Sequence, residues 1–191
     1  MIKPILFAGA ILLMAGCSSS GVTKSHYQLP SMVTTNGAKT AIVNEQQIQL
    51  IGVTVADYLN GNGIVYQTND VQFVMATQNL WGSSLQQQLS NALSENLNTQ
   101  LPNWLIANRM MIEGNKTLQV NVTGFHGRYD GKVVIKGEWA LSANGKLFTR
   151  TFDLLLDQKE DGYDGLVRAL AEGWLQVSHD IAGQVNQLNP H

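Results

Sequence analysis

Thr117-Leu118-Gln119-Val120-Asn121-Val122-Thr123-Gly124-Phe125 alternates polar and apolar residues, and Lys132-Val133-Val134-Ile135-Lys136-Gly137-Glu138-Trp139-Ala140-Leu141 and residues 146–156 follow it at hairpin spacing. Asp130-Gly131 and Asn144-Gly145 stand between these segments. A period of two places one apolar face toward a core, and Asp-Gly and Asn-Gly favour the positive φ that tight type I′ turns require. The stretch therefore predicts a three-stranded β-meander. Directly after it the period changes. Leu166, Leu170, Trp174, Val177, Ile181, Val185 and Leu188 recur every three or four residues from about Gly162, one stripe of a long helix. Upstream, Trp81, Leu85, Leu89, Ala92, Leu93, Leu97 and Leu101 give the same signature over residues 79–101, stopped by Pro102.

The remaining segments read as strands and turns. Residues 47–55 are aliphatic and β-branched, a central strand; Asp57-Tyr58-Leu59 leaves it, and Asn60-Gly61-Asn62-Gly63 turns. Residues 64–68 and 71–75 predict a hairpin about Asn69-Asp70. Residues 26–30 suit a short strand ended by Pro30, residues 104–106 another, and residues 31–45 a loop. Strands, helix, strands, helix predicts an α+β fold: a mainly antiparallel sheet with two long helices packed on one face. Residues 26–191 form one domain on this reading, and 175 or so residues suffice for a real core.

The N-terminus carries a different signal. Lys3 precedes about ten nearly unbroken apolar residues, 5–14, which fits a secretory signal core and falls short of the ~20 that span a bilayer. Leu13-Met14-Ala15-Gly16-Cys17 resembles the lipobox of bacterial lipoproteins. Cleavage is expected between Gly16 and Cys17, with residues 1–16 a lipoprotein signal peptide. Diacylglycerol and an N-acyl chain on Cys17 are the only non-protein groups expected. Cys17 is the sole cysteine of the 191 residues, so it has no intramolecular disulfide partner, and its place at the cleavage point explains it. Residues 17–25 form the lipidated cysteine and a small polar tether, reaching roughly 25–30 Å at ~3.3 Å per residue. Ser18, in place of the Asp that commonly retains lipoproteins at the inner membrane, favours the outer membrane.

Chemistry-bearing constellations are scarce. A net charge of −2 with 14% charged residues gives no basic field for nucleic acid or anionic lipid. His26, His126, His179 and His191 fall in no metal-ligand spacing, so no metal site is expected. No G-x-S-x-G elbow is present, and residues 157–168 fail as a calcium loop because Lys159 and Arg168 occupy ligand positions. His179-Asp180 reads as a solvated helix face, and Asp161 with Asp164 as the charged cap of the last helix. Trp81, Trp104, Trp139 and Trp174 are the large apolar anchors, and Trp81 and Trp174, which lie on the helix stripes, read as core. Tyr58, Leu59 and Tyr66 flank the Gly-rich turn and are the candidates for a partner interface.

The order of segments resembles the PqiC (YmbA) family of ABC-transport auxiliary lipoproteins. The resemblance is carried by His26-Tyr27-Gln28-Leu29-Pro30, Val55-Ala56-Asp57-Tyr58-Leu59, Gly63-Ile64-Val65-Tyr66-Gln67-Thr68, Asn79-Leu80-Trp81-Gly82-Ser83-Ser84-Leu85, Gly127-Arg128-Tyr129-Asp130-Gly131-Lys132, Gly137-Glu138-Trp139 and Asp161-Gly162-Tyr163-Asp164. Ala56 and Gly82 depart from the family's usual Pro and Ala. The resemblance implies a non-enzymatic periplasmic subunit of a lipid-trafficking system, partnered by an MCE-domain protein and its membrane component. It implies a site at the outer membrane that receives the MCE assembly and supports envelope integrity. A ring of copies matching a ring-shaped partner is a further expectation. Two other readings stay open: an activator lipoprotein of a cell-wall synthase, which the short tether disfavours, and a lipid-anchored hydrolase, which the missing nucleophile motif disfavours.

Overall fold

A computed structural model describes residues 23–30, 46–108 and 116–188. Gly16, Cys17, most of the tether, the predicted loop 31–45 and residues 189–191 lie outside the described residues. The elements are β1 (Ser25–Tyr27), β2 (Gln47–Val55), a 3-10 turn (Asp57–Leu59), β3 (Gly63–Gln67), β4 (Phe73–Trp81), α1 (Leu85–Gln100), β5 (Leu105–Ala107), β6 (Thr117–Arg128), β7 (Lys132–Ala143), β8 (Lys146–Asp157) and α2 (Gly162–Asn186). This is the α+β architecture that the segment order predicts.

The meander forms as read. β6 and β7 pair antiparallel over eleven positions and β7 and β8 over twelve. The turns differ in type. Asn144 and Gly145 both have positive φ and make the two-residue type I′ loop. At Tyr129-Asp130-Gly131 only the glycine is left-handed, at φ 76°, so this is a three-residue loop in which Gly131 N–H donates to the Arg128 carbonyl. The other edge of β6 is shared. β2 pairs parallel to its first half and β3 parallel to its end, at Tyr66↔Gly127 and Gln67↔Arg128, with the 3-10 turn between them. β5 flanks β2 in parallel, β4 flanks β3 antiparallel, and β1 pairs parallel to the end of β4. The sheet is thus mixed, its longest ladders antiparallel.

The first helix is shorter than its apolar stripe. Residues 79–81 continue β4, where Leu80 pairs with Gly63 on one side and residues 79–81 with β1 on the other. Two strand neighbours satisfy that backbone more fully than a helical first turn, which leaves its N–H groups orphaned. The helix begins where Ser84 Oγ accepts from the Gln87 N–H. Trp81 therefore belongs to a strand, not to the helix stripe, but it is buried all the same.

α1 and α2 lie on one face of the sheet. Leu85, Leu89, Leu93 and Leu97 of α1 and Leu166, Leu170, Trp174, Val177, Ile181 and Val185 of α2 join the inward residues of β6 and β7 in a single core. Trp174 meets Phe125 and Phe152 edge-on, and its Nε1–H donates to the Leu89 carbonyl of α1, so the ring is both packed and satisfied. Asn96 Nδ2 donates to Ser178 Oγ between the two helices. Asp180, expected on a solvated face, instead ties α2 to the sheet: it accepts from Trp139 Nε1–H at 3.0 Å and pairs with Arg150 of β8.

Candidate docking surface

The parallel register Gln67↔Arg128 brings the β3–β4 turn and the β6–β7 turn to the same end of the sheet. Residues 68–72 close the first turn: Thr68 N–H donates to the Gln72 carbonyl, and Asn69 Oδ1 accepts from the Val71 N–H. Asn69 is occupied locally, so Val71 is left at the tip, 82% exposed. Below it, Phe73, Val74 and Met75 are successive strand residues and must point to alternate faces. All three are exposed. Tyr129 stands at the neighbouring turn, and Leu155 of β8 sits opposite Val134, two residues from Lys132 where β7 begins. Among the described residues eight large apolar side chains are exposed, and six of them crowd this end. Scattered singly, such residues carry no meaning; grouped, they mark an interaction surface.

The open face beneath the tip is built around His126. It belongs to β6 on the side away from the helices, opposite Val134, and would be solvated were it not covered. Phe73 stands edge-on to its ring at 5.0 Å, and Tyr58 lies 4.9 Å from Phe73 and 6.2 Å from His126. Tyr58 is anchored by its hydroxyl, which donates to the Thr123 carbonyl at 2.8 Å. Thr123 is the extra residue of the bulge between Val122 and Gly124, so its carbonyl is free for this contact. His126 is left 4% exposed. Its Nδ1 faces the Gly127 carbonyl at 3.0 Å, which requires the Nδ1–H tautomer. Burial holds the imidazole below its ordinary 6.5; the Gly127 carbonyl opposes this in part, and the nearby Arg128 charge adds to it. Burial also pushes the Tyr58 hydroxyl upward. The cations of this face are engaged: Arg128 with Asp130, Lys132 with Asp157 and Lys136 with Asp153.

The three residues singled out from sequence go three ways. Tyr58 faces the open side. Leu59 is 1% exposed and packs in the core, so it meets no partner. Tyr66 turns to the helix side, where its hydroxyl donates to the Arg128 carbonyl and its ring lies against Gly127. A Cβ on Gly127 would come within 2.4 Å of Leu166 and 2.7 Å of the Tyr66 ring, so only glycine lets strand, tyrosine and helix meet there. Phe73, Met75 and Val71 were not singled out. Their signal was the unbroken run Phe73-Val74-Met75, apolar on both faces of a strand that has no helix over it. Among the described residues no group of three or more His, Cys, Asp or Glu side chains could hold a metal. No described helix is long and apolar enough to cross a membrane.

Over residues 27–182 the chain matches the family described as the ABC-type transport auxiliary lipoprotein component. It belongs to that family. Two relatives, from Escherichia coli (strain K12) and Shigella flexneri, are each named intermembrane transport lipoprotein PqiC. Each is 47% identical over 186 residues, 97% of this chain and 99% of the relative. Among solved structures, an uncharacterized protein is 50% identical with a TM-score of 0.77, covering 85% of this chain and 99% of its own. A Xanthomonas campestris protein shares the fold at 16% identity and a TM-score of 0.66, covering 86% and 100%. The family match, over residues 27–182, includes the apolar end.

Proposed function

We propose that this protein is a lipid-anchored docking subunit of an intermembrane transport system, acting by position and binding without catalysing a reaction. Diacylglycerol and N-acyl groups on Cys17 hold it at the periplasmic face of the outer membrane, and the short tether keeps the body within roughly 25–30 Å of that surface. The apolar end, with Tyr58 and Phe73 on one side and Tyr66 on the other, grips the periplasmic partner. That partner is an MCE-domain protein joined to its membrane component, and a ring-shaped partner would be met by a ring of copies of this chain. Docking there supports envelope integrity. The observation that carries the reading is the crowding of six of eight exposed large apolar side chains at one end of a chain in this family.

The test is placement against binding. Cys17→Ala leaves the fold intact by circular dichroism but moves the protein from the outer-membrane to the soluble fraction and removes its function. The intact lipoprotein captures its MCE partner after cross-linking. A Cys17→Ala protein that stays with the outer membrane and sustains function overturns the positional mechanism, and failure to capture the partner overturns the docking role.

A further inference from the structure

At the apolar end, on the helix side of the sheet, a pocket of about 320 Å³ opens between the β6–β7 turn and the start of α2. Tyr66, Tyr163 and Leu166 give it apolar walls, while Gln158 and Asp161 supply its polar groups. Two side-chain donors nearby are already committed. Tyr66 O–H donates to the Arg128 carbonyl, and Gln158 Nε2 donates to the carbonyls of Glu160 and Gly162. What stands out for a ligand is the acceptor capacity of the Asp161 carboxylate and two aromatic rings.

Asp161 is the unusual member. It holds the N-cap position of α2, yet its side chain accepts no capping hydrogen bond from the helix. Among the described residues no cation lies within 4.0 Å of it, whereas its acidic neighbours are engaged: Glu160 and Asp164 with Arg168, Asp157 with Lys132, Glu172 with Lys159. An anion would face this carboxylate directly. The helix N-terminus adds about half a positive charge, which the full charge of the Asp161 carboxylate outweighs. Asp161 is exposed, and a purely apolar side chain in the pocket would take water from its carboxylate without replacing it, which is unfavourable. A long aliphatic stem that ends in a cation meets every requirement: the stem lies along Tyr66, Tyr163 and Leu166, and the charge reaches the rings and the carboxylate.

We propose that this pocket receives a lysine or arginine side chain of the protein partner that docks on the apolar end. The proposal rests on the docking reading for the partner's identity, but the pocket's preference stands on its own residues. It is tested with the detergent-solubilised full lipoprotein and N-acetyl-lysinamide, N-acetyl-argininamide, N-acetyl-norleucinamide and N-acetyl-glutaminamide as probes, followed by NMR shifts of the tyrosine rings. The two cationic probes are expected to bind at least fivefold more tightly than the two neutral ones. Asp161→Asn is expected to abolish that preference, Tyr163→Leu to weaken it about threefold, and Asp153→Asn, on the open face, to leave it unchanged; circular dichroism checks each fold. Equal binding of norleucinamide and lysinamide, no binding of the cationic probes, or an unchanged preference in Asp161→Asn overturns the proposal. If the cationic probes bind but the intact protein captures no partner, the docking reading falls and the pocket assignment stands. If Asp161→Asn captures the partner undiminished and the probes do not bind, the reverse holds.

Discussion

The β7–β8 hairpin and the β3–β4 hairpin are both antiparallel and regular at their turns, yet they are stabilised in opposite ways. β7 alternates buried and open residues, and α2 lies across its apolar face, so Val133, Ile135, Trp139 and Leu141 are all buried. β4 carries Phe73, Val74 and Met75 on both faces with no helix over either. The first hairpin contributes to the core. The second spends apolar surface on solvent, at about 25 cal/mol per Å² of burial forgone. A surface that lowers stability in this way persists where something else covers it, and on the docking reading that contrast separates the scaffold from the proposed docking surface.

The contrast can be tested first where the effect is largest. Trp174→Ala removes a ring that meets Phe125 and Phe152 together with the indole N–H that ties α2 to the Leu89 carbonyl of α1; it should cost about 3–5 kcal/mol by urea denaturation. Phe73→Ala, at a ring already 42% exposed, should cost only about 1 kcal/mol while strongly reducing partner capture. Equal losses from the two would erase the distinction between scaffold and docking end.

A second effect concerns His126. Because the folded state lowers its pKa below 6.5, the unfolded chain binds more protons in the window beneath that value. Stability should be complete above pH 6.5 and fall as pH drops from there through the lowered folded value. Urea midpoints between pH 7.5 and 5 should show this, and His126→Gln should flatten that part of the profile. Hydrogen exchange in acid should rise first in the β3–β4 hairpin, since Phe73 covers the ring; uniform loss of protection would place His126 outside that coupling. The smallest effect is at the tip. Val71→Ser should leave stability within about 0.5 kcal/mol, yet weaken partner capture measurably. Unchanged capture would confine docking to the residues lower on the hairpin.

Local chemistry made much of this legible in advance. The alternation of residues 117–141, the Asn144-Gly145 turn and the 3.6-residue stripes of both helices are short-range patterns, and the meander, α2 and the body of α1 follow from them. So does the burial of Trp139 and Trp174, whereas Trp81 is buried as the last residue of β4 and not on the helix stripe that predicted it. The residues proposed for docking were only partly readable. Tyr58, Leu59 and Tyr66 stand close together along the chain, but a 3-10 turn and a pleat send them to the open face, the core and the helix side.

What the amino-acid order determined by itself is the set of elements and their inward faces, because period and turn chemistry act over a few residues. It also carries the lipobox-like motif at Cys17, which is a matter of local residue types. Only the tertiary structure decided that residues 79–81 are strand, because β1 and β3 arrive from distant segments to pair with them. Only it brought the tips of β3–β4 and β6–β7 together, buried His126 under Phe73 and Tyr58, and left Asp161 facing a pocket beside Tyr66 instead of capping its helix. These features depend on register between strands some sixty residues apart in the chain, and register is set by the whole packed sheet.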